Sequence, residues 1–214
     1  MAYRYTRLTP LISGGPTIFL LTAVGLLLGV LLSFIGPLEY SSTSRILITQ
    51  ELGAVDAYTA SRSVERIADD LATAVNTTKF RDAVLEGNYG IDLSFFPEDE
   101  TKLRKKWGKT ISTSVLRSTG FLTIRAYHPQ VDQAELLSLA VADVLTETGW
   151  TYTSGGNITI QLVDQPLSSR WPVRPNIFIN AFSGFILGGI AGVGYILIQV
   201  ERVKRRHQLI HEEE

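Results

Sequence analysis

The sequence predicts an α/β domain, a mixed sheet with helices on one face, set between two transmembrane helices. Three observations carry that expectation. Uncharged apolar stretches run from Leu8 to Leu38 and from Pro175 to Val200, near opposite ends of the 214-residue chain. Each exceeds the roughly 20 helical residues that cross a hydrocarbon core of about 30 Å. Between them, short β-branched runs alternate with stretches whose apolar residues recur every three or four positions.

The first stretch is too long for a signal peptide, and it ends in Phe34-Ile35-Gly36-Pro37 rather than at a small-residue cleavage site, so it is expected to be retained. Arg4 and Arg7 precede it, while Arg202, Lys204, Arg205 and Arg206 follow the second stretch. Basic flanks are retained in the cytoplasm, which places both termini there and the central segment outside. The expected order is a cytoplasmic N-terminus over 1–10, a first transmembrane helix over 11–36 and an extracytoplasmic domain with a proline-rich exit over 37–175. A second transmembrane helix over 176–200 and a cytoplasmic tail over 201–214 complete it.

Within the central segment, Ser44–Gln50 reads as a strand. From Asp56 the residues Val64, Ile67, Ala68, Leu71 and Val75 form one helical stripe, opposite Arg62, Glu65, Arg66, Asp69 and Asp70. Asn76-Thr77-Thr78 breaks and recaps the chain, and Phe80, Val84 and Leu85 line a second short helix ending near Gly87–Gly90. After a loop over 92–97, Pro97-Glu98-Asp99-Glu100 opens a third helix, whose later part, Lys102 to Lys109, is basic. Ile111–Leu116 and Phe121–Tyr127 form a hairpin across Arg117–Gly120. A long helix with Pro129 at an early position buries Val131, Ala134, Leu137, Val141, Val144 and Leu145 and stops around Gly149. A last strand, Ile158–Val163, leads into the proline-rich exit. The first and last strands connect directly to the spans and are expected to lie side by side.

Several functions are excluded by what the chain lacks. A formal charge of -1 is nearly neutral and argues against a nucleic-acid partner. With no cysteine there are no disulfides, thiolate nucleophiles or cysteine zinc sites. The three histidines, His128, His207 and His211, are not clustered with carboxylates at metal-ligand spacing, and His128 before Pro129 caps or flanks a helix. Asp69 and Asp70 are adjacent on a helix and point apart, as in a solvated face. No phosphate loop and no serine elbow occurs. No catalytic residue, cofactor or metal site is expected.

The exit segment carries two features. Pro166, Pro172 and Pro175 lack a backbone donor and fix φ, so the segment reads as a stiff strut that does not extend the sheet, with Trp171 as an interfacial anchor. Gly184, Gly188 and Gly192 share one helix face where another helix can approach closely, and Gly194 follows them. Gly25 and Gly29 repeat that spacing in the first span.

The junction from Pro166 to Gly194 resembles that of the polysaccharide co-polymerase family, the Wzz-type chain-length determinants and their shorter, kinase-partnered relatives. Pro166 and Pro175 stand in its proline-rich approach, and Gly188, Gly192 and Gly194 in its Gly-x-x-x-Gly-x-Gly cluster. Ser169 stands where a further proline is usual, Arg174 where serine is usual and Asn176 where lysine is usual; Pro172 is extra. The Tyr40–Gln50 strand, the strand from Gly120 to Arg125 and the helix start at His128 also match, so the resemblance covers nearly the whole chain. It implies a homo-oligomer, a ring or bundle in the cytoplasmic (inner) membrane, controlling the length or export of a lipid-linked surface polysaccharide such as O-antigen, capsule or exopolysaccharide. The chain is expected to be non-enzymatic; the alternatives are an activator or sensor of a separate cytoplasmic tyrosine kinase and an extracytoplasmic glycan-acting enzyme. The implied partners are membrane lipids, a polysaccharide polymerase, the lipid-linked polymer and a cytoplasmic tyrosine kinase. Kinase docking falls on Arg202, Lys204, Arg205 and Arg206, and the glycine face at Gly184, Gly188, Gly192 and Gly194 is expected to be the oligomerisation surface, through packing of transmembrane helices.

Overall fold

Tyr40 to Gln50 form an eleven-residue strand, β1, that pairs on both sides and so organises the central part of the chain. The computed structural model describes residues 13–51, 56–117, 119–153 and 157–211, except the side chains of residues 204 and 206–211. The chain divides into a central unit, Leu38–Val173, and a helical unit made of the residues on either side of it.

The central unit runs β1, α2 (Ala57–Ala74), α3 (Thr78–Glu86), a 3-10 turn (Leu93–Phe95), α4 (Glu100–Thr110), β2 (Ile111–Leu116), β3 (Phe121–His128), α5 (Val131–Thr148), a second 3-10 turn (Gly149–Tyr152) and β4 (Ile158–Ser168). Sheet order is β2-β3-β1-β4, and every pairing is antiparallel. The expectation of a mixed sheet is therefore corrected. Helix α5 does join two strands of the same direction, β3 and β4, but β1 lies between them and runs antiparallel to both, so no parallel pair forms. The expected adjacency of the first and last strands is what the register gives.

Buried positions alternate along β1 and β3, with Ser42, Ser44, Ile46 and Ile48 facing the same side as Leu122, Ile124, Ala126 and His128. Helix α5 lies over β1, β3 and β4, and α2 over β1, β2 and β3. The other side of the sheet carries Thr43, Arg45, Thr49 and Arg125, as an antiparallel sheet solvated on one face should. Its Arg45–Asp164 pair, 3.5 Å apart, is exposed on both sides.

The helices start where their caps allow. Asp56 accepts from the N–H groups of Tyr58 and Thr59, Thr77 from that of Phe80, and Asp99 from that of Lys102. Helix α5 begins only at Val131, so Pro129 lies ahead of it rather than inside its first turn. No side chain caps α5; ahead of it, the Gln130 N–H donates to His128 Nδ1 at 3.0 Å. Gly120 has φ +73°, which the hairpin turn requires, and its carbonyl accepts from the Ile48 N–H.

In the helical unit, α1 (Gly15–Ser33) and α6 (Ile177–His211) are both long and apolar enough to cross a membrane. Helix α6 continues past the apolar part as far as His211, so the basic flank is helical rather than a separate tail. The N-terminal flank with Arg4 and Arg7, the start of the first expected span, and residues 212–214 lie outside the described residues.

Candidate functional site

Glycines set the contact between α1 and α6. A Cβ on Gly188 would stand 2.5 Å from the Leu21 carbonyl oxygen and 3.0 Å from Thr22 Cα; one on Gly192 would stand 2.9 Å from Ile18 Cα. Gly25 and Gly184 face each other so closely that a Cβ on either would strike the other's carbonyl oxygen, and Gly29 meets Asn180 in the same way. The two helices therefore touch backbone to backbone, which only a stripe of hydrogen side chains permits. Gly184, Gly188 and Gly192 are thus occupied within the chain, against the Gly25 and Gly29 face of α1. Gly194 is different, because a Cβ there would meet nothing within 4 Å.

A polar pair adds to this contact. Asn180 Nδ2 donates to Ser33 Oγ at 2.9 Å, and Ser33 Oγ donates in turn to the Gly29 carbonyl. The signal for it is an asparagine inside an otherwise apolar helix, a side chain that needs a partner once it is partly buried.

In the central unit the exit segment departs from the strut expected of it. Pro166 lies inside β4, which extends to Ser168. The sheet tolerates it because β4 is an edge strand with register shifts around Arg45, so a missing N–H costs no regular ladder bond. Beyond β4 the pairing continues. The Ser169 N–H donates to the Ser41 carbonyl at 2.7 Å, the Ser41 N–H donates to Ser169 Oγ at 3.0 Å, and the Val173 N–H donates to the Glu39 carbonyl at 2.8 Å. The two chain ends of the central unit are thereby held together. Trp171 is 80% exposed and Pro172 half-buried. Pro175 belongs to the helical unit and follows a cis peptide bond.

Of the basic residues in the last part of α6, Arg202 and Arg205 are exposed, and Arg205 pairs with Glu201 at 3.2 Å. The side chains of Lys204 and Arg206 lie outside the described residues.

The helix-covered face of the sheet holds polar groups that the sequence did not announce. Ser44 Oγ donates to the Ser138 carbonyl at 3.3 Å, and Ser138 Oγ donates to Ser44 Oγ at 2.9 Å. Among the described residues Ser42 Oγ and His128 Nε2 are buried with no hydrogen-bond partner, on diagonal positions of the β1–β3 pair. His128 Nδ1 stands 3.0 Å from the Gln130 nitrogen and 3.3 Å from the Gln130 carbonyl oxygen. Phe95 packs on the imidazole with centroids 4.2 Å apart, and burial holds the His128 pKa below its ordinary value. Asp69 is exposed and Asp70 half-buried on α2. Among the described residues no group of three or more histidines and carboxylates is placed to hold a metal ion.

Compared with known proteins, the chain matches no family model and no curated protein.

Proposed function

We propose that the chain is a multi-pass protein of the cytoplasmic (inner) membrane, with both termini inside and the central unit outside. It acts there as a non-enzymatic oligomeric scaffold that sets the chain length, or supports the export, of a lipid-linked surface polysaccharide. The observation that carries the reading is the pairing of β1 with β4, extended by Ser41–Ser169 and Glu39–Val173. It makes one edge of the sheet the root of the whole unit, with an apolar helix a few residues away on either side. Such a root suits a domain held at a membrane surface, and the sequence resemblance at Pro166 to Gly194 supports the same reading. Because Gly184, Gly188 and Gly192 are filled by α1, contacts between copies in this reading use other surfaces, among them the outward faces of the spans and of the central unit.

A second reading, an activator or sensor for a separate cytoplasmic tyrosine kinase, is favoured by one feature. Helix α6 carries on from its apolar part through Arg202 and Arg205 to His211, which in this reading would make it a continuous lever between outside and inside. Deleting the gene and running the surface polymer on a gel separates the readings. An altered length distribution supports the scaffold; unchanged polymer with lost kinase phosphorylation supports the sensor; neither change removes both.

A further inference from the structure

The basic part of α4, which neither reading above uses, lies at the same end of the central unit as its two chain ends. Three relations fix that position. Helix α4 runs without a break into β2, whose first residue, Ile111, pairs with Ala126, and Ala126 pairs with Ser42 near the start of β1. The Lys106 ammonium stands 3.6 Å from the centroid of the Phe95 ring, which packs on His128, the register partner of Tyr40. Glu39 acts electrostatically on both Lys106 and His128.

Helix α4 is held there firmly. Trp107, 1% exposed, donates its Nε1 proton to the Val75 carbonyl at 2.9 Å, and Glu100 in the first turn takes both ends of the Arg81 fork. With its acid engaged and its apolar side buried, the helix leaves Lys102, Arg104, Lys105 and Lys109 exposed. The exit segment at this end adds exposed Arg170 and Trp171. Tyr40 follows the end of α1 by seven residues and Val173 precedes the start of α6 by four, so the tethers are short.

We propose that this end of the central unit is a docking surface for anionic phospholipid headgroups of the bilayer that α1 and α6 cross, with α4 as its cationic element and Trp171 as its interfacial element. The proposal rests on the reading that those helices span a membrane. Charge complementarity and continuity with the spans select the occupant: lysines and arginines held near an anionic leaflet each strengthen attachment about fivefold, and tryptophan prefers the headgroup level. These charges are too far along the chain from either span to set topology, so orientation alone does not account for them. Docking would fix the tilt of the sheet over the membrane rather than leave it swinging on two tethers.

The absence of cysteine makes the test direct. Thr101→Cys on α4 and Thr159→Cys, near the opposite end of β1, are labelled singly with a fluorophore in the full chain. Each is reconstituted into nanodiscs of phosphatidylcholine alone or rich in phosphatidylglycerol, with a headgroup spin-label quencher. Quenching at Thr101 but not Thr159, stronger with phosphatidylglycerol and lost in high salt, is the expected result. Reversing charge at Lys102→Glu, Arg104→Glu and Lys105→Glu should lower the docked-to-free ratio by on the order of a hundredfold. Equal quenching at the two sites, or quenching at Thr101 that ignores lipid charge and the triple reversal, overturns the proposal. If the chain stays in the discs through alkaline carbonate while Thr101 is unquenched, the docking fails and the spanning reading stands; loss from the discs overturns both.

Discussion

Ser41 and Ser169 exchange two hydrogen bonds, one from the Ser169 N–H to the Ser41 carbonyl and one from the Ser41 N–H to the Ser169 hydroxyl. A proline, usual at this position in the family that the junction resembles, can make neither. Ser169→Ala should remove one bond and Ser169→Pro both, at about 1 kcal/mol each. Denaturant unfolding in detergent, followed by tryptophan fluorescence, should rank the wild type above alanine and alanine above proline. A proline variant as stable as the wild type would contradict this.

The glycine stripe predicts an intrachain contact. A Cβ on Gly189 would lie 3.5 Å from Thr22 Oγ1, so Thr22→Cys with Gly189→Cys should oxidise to a disulfide within one chain. Adding Gly188→Leu should abolish it, because leucine cannot fit against Leu21 and Thr22. A non-reducing gel distinguishes the outcomes, and a crosslinked dimer as the main product would show the stripe to be a contact between copies.

Arg81 is 3% exposed, whereas the side chains of its partners Asp82 and Glu100 are 43% and 62% exposed. Asp82→Asn with Glu100→Gln leaves a buried guanidinium without a counter-charge and should cost about 2–3 kcal/mol. Arg81→Leu should cost less, because the two carboxylates stay hydrated. The reverse order in unfolding measurements would contradict the assignment.

His128 predicts a pH dependence. Its imidazole, buried behind Phe95, is held below the ordinary value of 6.5. The unfolded chain therefore binds a proton before the folded one does, so stability falls as pH drops through about 6.5 and levels off once the folded imidazole is itself charged. Asp92 and Glu39 oppose the shift and Lys106 reinforces it. His128→Gln should flatten the loss of stability between about pH 7.5 and pH 5.5. An equal slope in the variant would place the titration elsewhere.

Much of the fold was legible because periodicity reports burial. The stripe at Ile67, Ala68 and Leu71, the hairpin around Gly120 and the core of α5 follow directly from spacing. The first four residues of β1 were not read from their own chemistry, since Tyr40-Ser41-Ser42-Thr43 has no apolar alternation. They are strand because each pairs with β3, from Tyr40 with His128 to Thr43 with Arg125, a long-range partnership that local spacing does not report. The path of β4 through Pro166 was hidden for a related reason: a proline signals the end of a strand unless its neighbour on that side is solvent, which only the sheet order reveals. The glycine face was visible, but its partner was not. Both spans carry the same spacing, and spacing does not say whether two faces meet within a chain or between chains.

Topology is the claim on which the functional reading and the lipid-docking surface both depend. With no native cysteine, Thr159→Cys in β4 and Val203→Cys after the second span can be probed singly in intact spheroplasts with a membrane-impermeant thiol reagent. The account predicts that Thr159→Cys is labelled at once and Val203→Cys only after lysis. Labelling of Val203→Cys in intact spheroplasts, or protection of Thr159→Cys until lysis, would contradict it.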